Sequence, residues 1–67
     1  MKSFKMRIAE IDVASRKETA FSDGMQAYFE DYASAVAWAE GENGRALEDF
    51  LERPEAREIV IWTVESK

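Results

Sequence analysis

Sixty-seven residues with fourteen carboxylates against nine basic side chains give a net charge of −5, and the chain contains no histidine and no cysteine. That length holds one hydrophobic core, so a single α+β domain over residues 1–67 is expected, marginal in stability because only about 60% of the unfolded surface is buried at this size. Disulfides, thiolate zinc sites and imidazole chemistry are excluded at once, and 46% hydrophobic residues is too many for a disordered chain.

At the N-terminus Phe4, Met6 and Ile8 alternate with Lys5 and Arg7, the period of a half-buried strand. After Ala9 the apolar set passes to Ile11 and Val13, and a bulge near Ala9-Glu10 is expected to carry that change of face. Ala14-Ser15-Arg16-Lys17 reads as a turn, and Glu18 to Phe21 as a returning antiparallel strand. Residues 22–40 admit two readings. In one, Asp23-Gly24 makes a hairpin turn, Met25, Ala27 and Phe29 line a short strand, and Asp31 caps a helix from about Tyr32 to Glu40. In the other, a single helix starts at Ser22 with Met25, Phe29, Tyr32, Val36 and Ala39 on one stripe. The first is preferred, and both stop at Gly41.

Glu42-Asn43-Gly44 reads as a loop, followed by a second helix from Arg45 to about Glu52 that buries Leu47, Phe50 and Leu51. Arg45–Asp49 and Asp49–Arg53 have the spacing of weak helical ion pairs, and Pro54 ends the segment. Ile59-Val60-Ile61-Trp62-Thr63-Val64 is apolar on both faces, which suits an interior strand with Trp62 in the core. The expected architecture is a small, mainly antiparallel sheet of three to four strands with two helices packed on one face. Charges interrupt every N-terminal apolar run, and no stretch approaches the roughly 18 apolar residues of a membrane span. A cytoplasmic protein is expected.

The composition speaks against an enzyme. Without His or Cys, the usual general base, the usual metal ligand and the thiol nucleophile are missing. No Ser lies in a nucleophile elbow, and the glycines at 24, 41 and 44 make no phosphate loop. Glu30-Asp31 and Glu48-Asp49 are adjacent pairs, and neighbours on a helix diverge by about 100°, so neither converges for acid–base work. No catalytic residue, cofactor or metal site is expected. Lys2, Lys5, Arg7, Arg16 and Lys17 gather at the first hairpin among Phe4 and Met6, but alternation accounts for them as a solvated strand face. The negative net charge repels phosphate, so direct nucleic-acid binding is not expected.

What remains is the placement of the acid. Residues 30–58 hold nine carboxylates against Arg45, Arg53 and Arg57, while residues 1–29 hold five basic and four acidic groups. The total lies inside the range that solubility alone explains, but the segregation does not follow from solubility. Glu40, Glu42, Glu48, Asp49, Glu52 and Glu55 are therefore the candidate partner-binding residues, together with Trp38, which falls off the apolar stripe and is either an interface anchor or packed against the second helix. Such a row of charge can enter a Lys/Arg-lined groove built for nucleic acid. The expected partner is a basic protein or ribonucleoprotein, bound by a monomer; an interaction module using an apolar edge or Trp38 is the competing reading.

In size, acidity, lack of His and Cys, and strand–helix–strand plan, the chain resembles the small anti-CRISPR proteins of phages and mobile elements. Its Tyr28-Phe29-Glu30-Asp31-Tyr32-Ala33-Ser34-Ala35 segment resembles a strand-to-helix junction common in small bacterial and phage proteins. The resemblance implies a phage-encoded inhibitor acting in the host cytoplasm, with a type I CRISPR surveillance complex as target and its DNA-binding channel as the site. It brings no catalytic residues. The alternative is a structural or regulatory subunit, antitoxin-like or a phage accessory protein.

Overall fold

The computed structural model describes residues 1–65. Strand β1 (Lys2–Asp12) turns into β2 (Lys17–Phe29); helix α1 (Tyr32–Leu51) follows, and β3 (Glu58–Val64) closes the chain. The three strands form one antiparallel sheet in the order β2-β1-β3. Among the described residues this is an α+β fold with one helix, not two, and three strands.

β1 is the central strand. It pairs with β3 without interruption from Met6 to Asp12; an irregularity does fall beside Glu10, where a bulge was expected, but the extra residue is not in β1. The irregularities lie opposite it, in β2: the register jumps between Met6 and Ile8, where Asp23-Gly24 intervenes, and between Glu10 and Ile11, where Thr19 does. Gly24 takes φ 86°, a left-handed value that suits glycine. Asp23-Gly24 is therefore a kink inside a 13-residue strand and not a hairpin turn, while the strand reading of Met25 to Phe29 holds. β1 does not change faces: Ile8 pairs with Trp62 towards the helix, Glu10 and Asp12 follow it on that side, and Ala9 and Ile11 look the other way.

The β1–β2 turn is tied by Asp12, whose carboxylate accepts from the Ser15 amide at 3.1 Å and hydroxyl at 2.6 Å. Asp31 caps α1 by accepting from the Ser34 amide at 2.8 Å, as its position predicts. The helix then runs through Gly41-Glu42-Asn43-Gly44, where a stop and a loop were expected. Two helical glycines cost about 1 kcal/mol each relative to alanine. Asn43 offsets that cost from mid-helix: its side-chain oxygen accepts from the Trp62 amide at 2.7 Å and its nitrogen donates to the Trp62 carbonyl at 2.9 Å.

That bond pair also fixes where β3 sits. Trp62 turns its backbone groups away from β1, so β3 is an edge strand whose open side is stitched to the helix. The interior position expected from its apolar run is taken by β1; β3 reads apolar because it turns Val60 and Trp62 towards the helix and Ile59 and Ile61 to the other face. One continuous helix changes which residues face in. Ala35 and Ala39 are buried, Phe50 is half-buried, and Leu47 and Leu51, expected in the core, are 49% and 71% exposed. The core between sheet and helix is thin, Phe4 and Met6 of β1 with the two alanines of α1, while Ala9 is buried on the other face between Phe21 and Ile61.

Candidate functional site

The helix and the turn after it carry every acidic residue singled out from the sequence. At about 100° per residue, the helical positions sort into two flanks around buried Ala39. Glu42, Asp49, Glu52 and Glu48 sweep one side, from beside β3 round to full solvent, and Trp38 lies within the same sweep. Glu40 falls on the opposite flank, beside Leu47 and Leu51. Glu55 lies in the turn between α1 and β3. The structure thus brings four of the expected carboxylates and Trp38 onto one surface and separates Glu40 from them.

Trp38 is 38% exposed. Its ring meets Trp62 edge-on at 4.9 Å between centroids and tilts against Phe29 at 5.9 Å. One side of the indole is held by these sheet aromatics, not by the second helix expected to pack on it, while the other stays open. Trp62, expected as core, is half-buried. Below Trp38 runs a groove lined by Glu42, Arg45, Ala46, Asp49, Val60 and Trp62. Its walls combine carboxylates with an aromatic floor.

Two arginines reduce the charge of this flank. Arg45 reaches Glu42 at 3.5 Å, one turn earlier than the expected Asp49, and Arg53 reaches Asp49 at 3.3 Å. Both pairs are largely solvated and weak. Glu40, Glu48, Glu52 and Glu55 make no ion pair among the described residues, and no group of three potential metal ligands occurs among those residues.

From Glu42 to Glu52 the axial distance is about 15 Å. Four carboxylates over that length approach the charge spacing of one nucleic-acid strand, about 3.4 Å, before the arginines are counted. After the arginines, the net density is roughly half that. The perturbed carboxylates of the molecule lie elsewhere. The Ser34 amide holds Asp31 below its ordinary value, the Ser15 hydroxyl and amide do the same for Asp12, and the Arg7 guanidinium does so for Glu18.

Reasoning from sequence missed Asn43 as the residue that places this flank. The available signal was its spacing: it sits four residues after Ala39 and three before Ala46, a polar side chain on an otherwise apolar stripe. It also missed the exposed Phe21, Tyr28, Leu47 and Leu51. No helix among the described residues is long and apolar enough to cross a membrane. A scan against protein-family models and searches of curated proteins and of solved structures return no match.

Proposed function

We propose that the chain is a non-enzymatic inhibitor that binds the basic, nucleic-acid-binding surface of a protein or ribonucleoprotein through the acidic flank of α1. The observation that supports this reading is the gathering of Glu42, Glu48, Asp49 and Glu52 with half-exposed Trp38 on one side of a single helix. Carboxylates supply steering and phosphate-like contacts, and the indole supplies the apolar anchor that charge alone lacks. Because Arg45 and Arg53 lower the net charge, the flank competes for a few lysine or arginine side chains and does not imitate a whole duplex. The resemblance to anti-CRISPR proteins suggests a type I surveillance complex in the host cytoplasm as that partner.

The test is displacement. Added to a purified type I surveillance complex and a labelled target duplex, the chain is expected to lower duplex binding, and to do so less as salt rises. Reversal of Glu48, Asp49 and Glu52 to lysine should abolish the effect while far-ultraviolet circular dichroism stays unchanged. A triple variant that still displaces the duplex rules the flank out.

A second reading is a structural or regulatory interaction module, antitoxin-like or a phage accessory subunit. Exposed Leu47 and Leu51, flanking Glu40 on the other side of α1, favour it. That reading predicts a partner complex insensitive to salt and lost in a Leu47→Ser, Leu51→Ser variant.

A further inference from the structure

The sheet face turned away from α1 carries a second apolar surface. Cross-strand pairing sets Phe21, Ala9 and Ile61 side by side there, with Ile11 and Ile59 in the next rung. Phe21 is 57% exposed and Tyr28, further along β2, is 63% exposed. The Phe21 ring is held in place from within: the Arg7 guanidinium lies 4.5 Å from its centroid and donates to both oxygens of Glu18, at 2.7 and 2.8 Å. A largely exposed aromatic ring beside an alanine only 5% exposed makes a step in the surface, high at Phe21 and low at Ala9. We infer that a second copy of this chain covers the face, the two sheets packed against each other and the two helices outermost.

Surface area, shape and charge select that occupant. A compact monomer of 7.7 kDa has an accessible surface of about 4,300 Å²; this chain has 4991 Å². The chain thus leaves more surface open than a compact body of its mass, and its broad face, 40 × 20 Å, is large enough to supply the ~800 Å² per partner that a stable interface buries. The body measures 40 × 20 × 13 Å, with a radius of gyration of 12.9 Å against about 11 Å for a compact chain of this length. A copy stacked on the broad face thickens the shortest dimension and restores a two-sheet core with sheets ~10 Å apart.

Charge points the same way. The groups around Phe21 are close to balance, Lys5 and Arg7 against Glu18, Asp23 and Glu65, so two such faces meet with little repulsion. The acidic flanks of α1 end up on the outside, separated by two sheet layers, more than the ~8 Å screening length of physiological salt. A basic partner is drawn to those flanks and has no electrostatic reason to prefer the Phe21 face. A two-fold axis through the face lets each Phe21 lie over the other copy's Ala9 and Ile61, the self-complementary contact of an isologous dimer. The dimer departs from the monomer expected from the sequence and stands independently of the function proposed above.

Sedimentation equilibrium of the full chain from micromolar to sub-millimolar concentration tests this. The expected mass is twice the 7.7 kDa of one chain, undiminished at high salt. Phe21→Asp should halve the mass while leaving the circular dichroism spectrum folded. Phe21→Thr, which puts a β-branched residue of high strand propensity in place of the ring, should raise the dimer dissociation constant at least tenfold and covers the case in which the aspartate variant fails to fold. A charge on the helix, Leu51→Glu, should leave the mass doubled. A wild-type chain that stays monomeric throughout overturns the proposal. So does a dimer that survives both Phe21 substitutions or is broken by Leu51→Glu.

Discussion

Asn43 ties the middle of α1 to the outer edge of β3. An amide side chain can match a strand's exposed N–H and C=O simultaneously, as Asn43 does at Trp62. Replacement by alanine leaves two part-buried backbone groups without a partner, at a cost of about 1–3 kcal/mol; urea unfolding should record that loss. Asn43→Asp should cost at least as much, because the oxygen replacing the amide nitrogen then faces the Trp62 carbonyl. The carboxylates with lowered pKa give a second prediction at this scale. Asp31, Asp12 and Glu18 each have a folded value below the ordinary 3.8 or 4.5. Protons bind more readily to these carboxylates in the unfolded chain, so the stabilisation is present above the ordinary values and is lost as pH falls through the lower folded ones. Melting temperature should therefore fall below about pH 4, and Asp31→Ala should lower it at neutral pH while flattening that acid limb.

Among the elements, β1, the start of β2, the span of β3 and the Asp31 cap were legible in the sequence, since alternation and capping are local signals. Residues 22–29 stood between strand and helix, and the edge position of β3 did not show. The continuity of α1 was not legible either. Gly41 and Gly44 around Asn43 look like a helix stop because local preference is all a sequence displays, and the bonds that override it go to Trp62, nineteen residues away. The error propagated to the site. Breaking the helix at Gly41 resets the phase and turns Leu47 and Leu51 inward; keeping it places the same residues beside Glu40 on an open flank. The acidic set was legible as a list, yet its division into two flanks was not, because that depends on one uninterrupted 100° step. A third prediction follows from the glycines. A methyl group at either position meets nothing within 4 Å, so Gly41→Ala and Gly44→Ala should each stabilise the fold by about 0.5–1 kcal/mol. Gly24→Ala, at φ 86° with equal space around it, should destabilise by a similar amount. Chemical denaturation of the three variants separates helix propensity from backbone strain, since free volume is the same in all three.

For the whole molecule, the scarcity of buried side chains sets the tolerance to change. A chain of this length has roughly 3–10 kcal/mol of stability at the usual per-residue scale. Met6 is the largest side chain wholly removed from solvent, between Met25 and Val64 on the rungs beside it. Truncating a buried methionine to alanine costs about 2–5 kcal/mol, a large part of the total, so Met6→Ala should leave the chain substantially unfolded at room temperature. Leu51→Ala, by contrast, removes a side chain 71% exposed and should shift stability by no more than about 0.5 kcal/mol. Composition alone ranks those two residues the other way, with a leucine on a helical apolar triplet ahead of a flexible thioether near the N-terminus. Thermal unfolding followed by circular dichroism decides the order. If Leu51→Ala costs as much as Met6→Ala, the helix presents its C-terminal half to a core, and the division into an acidic and an apolar flank falls with it.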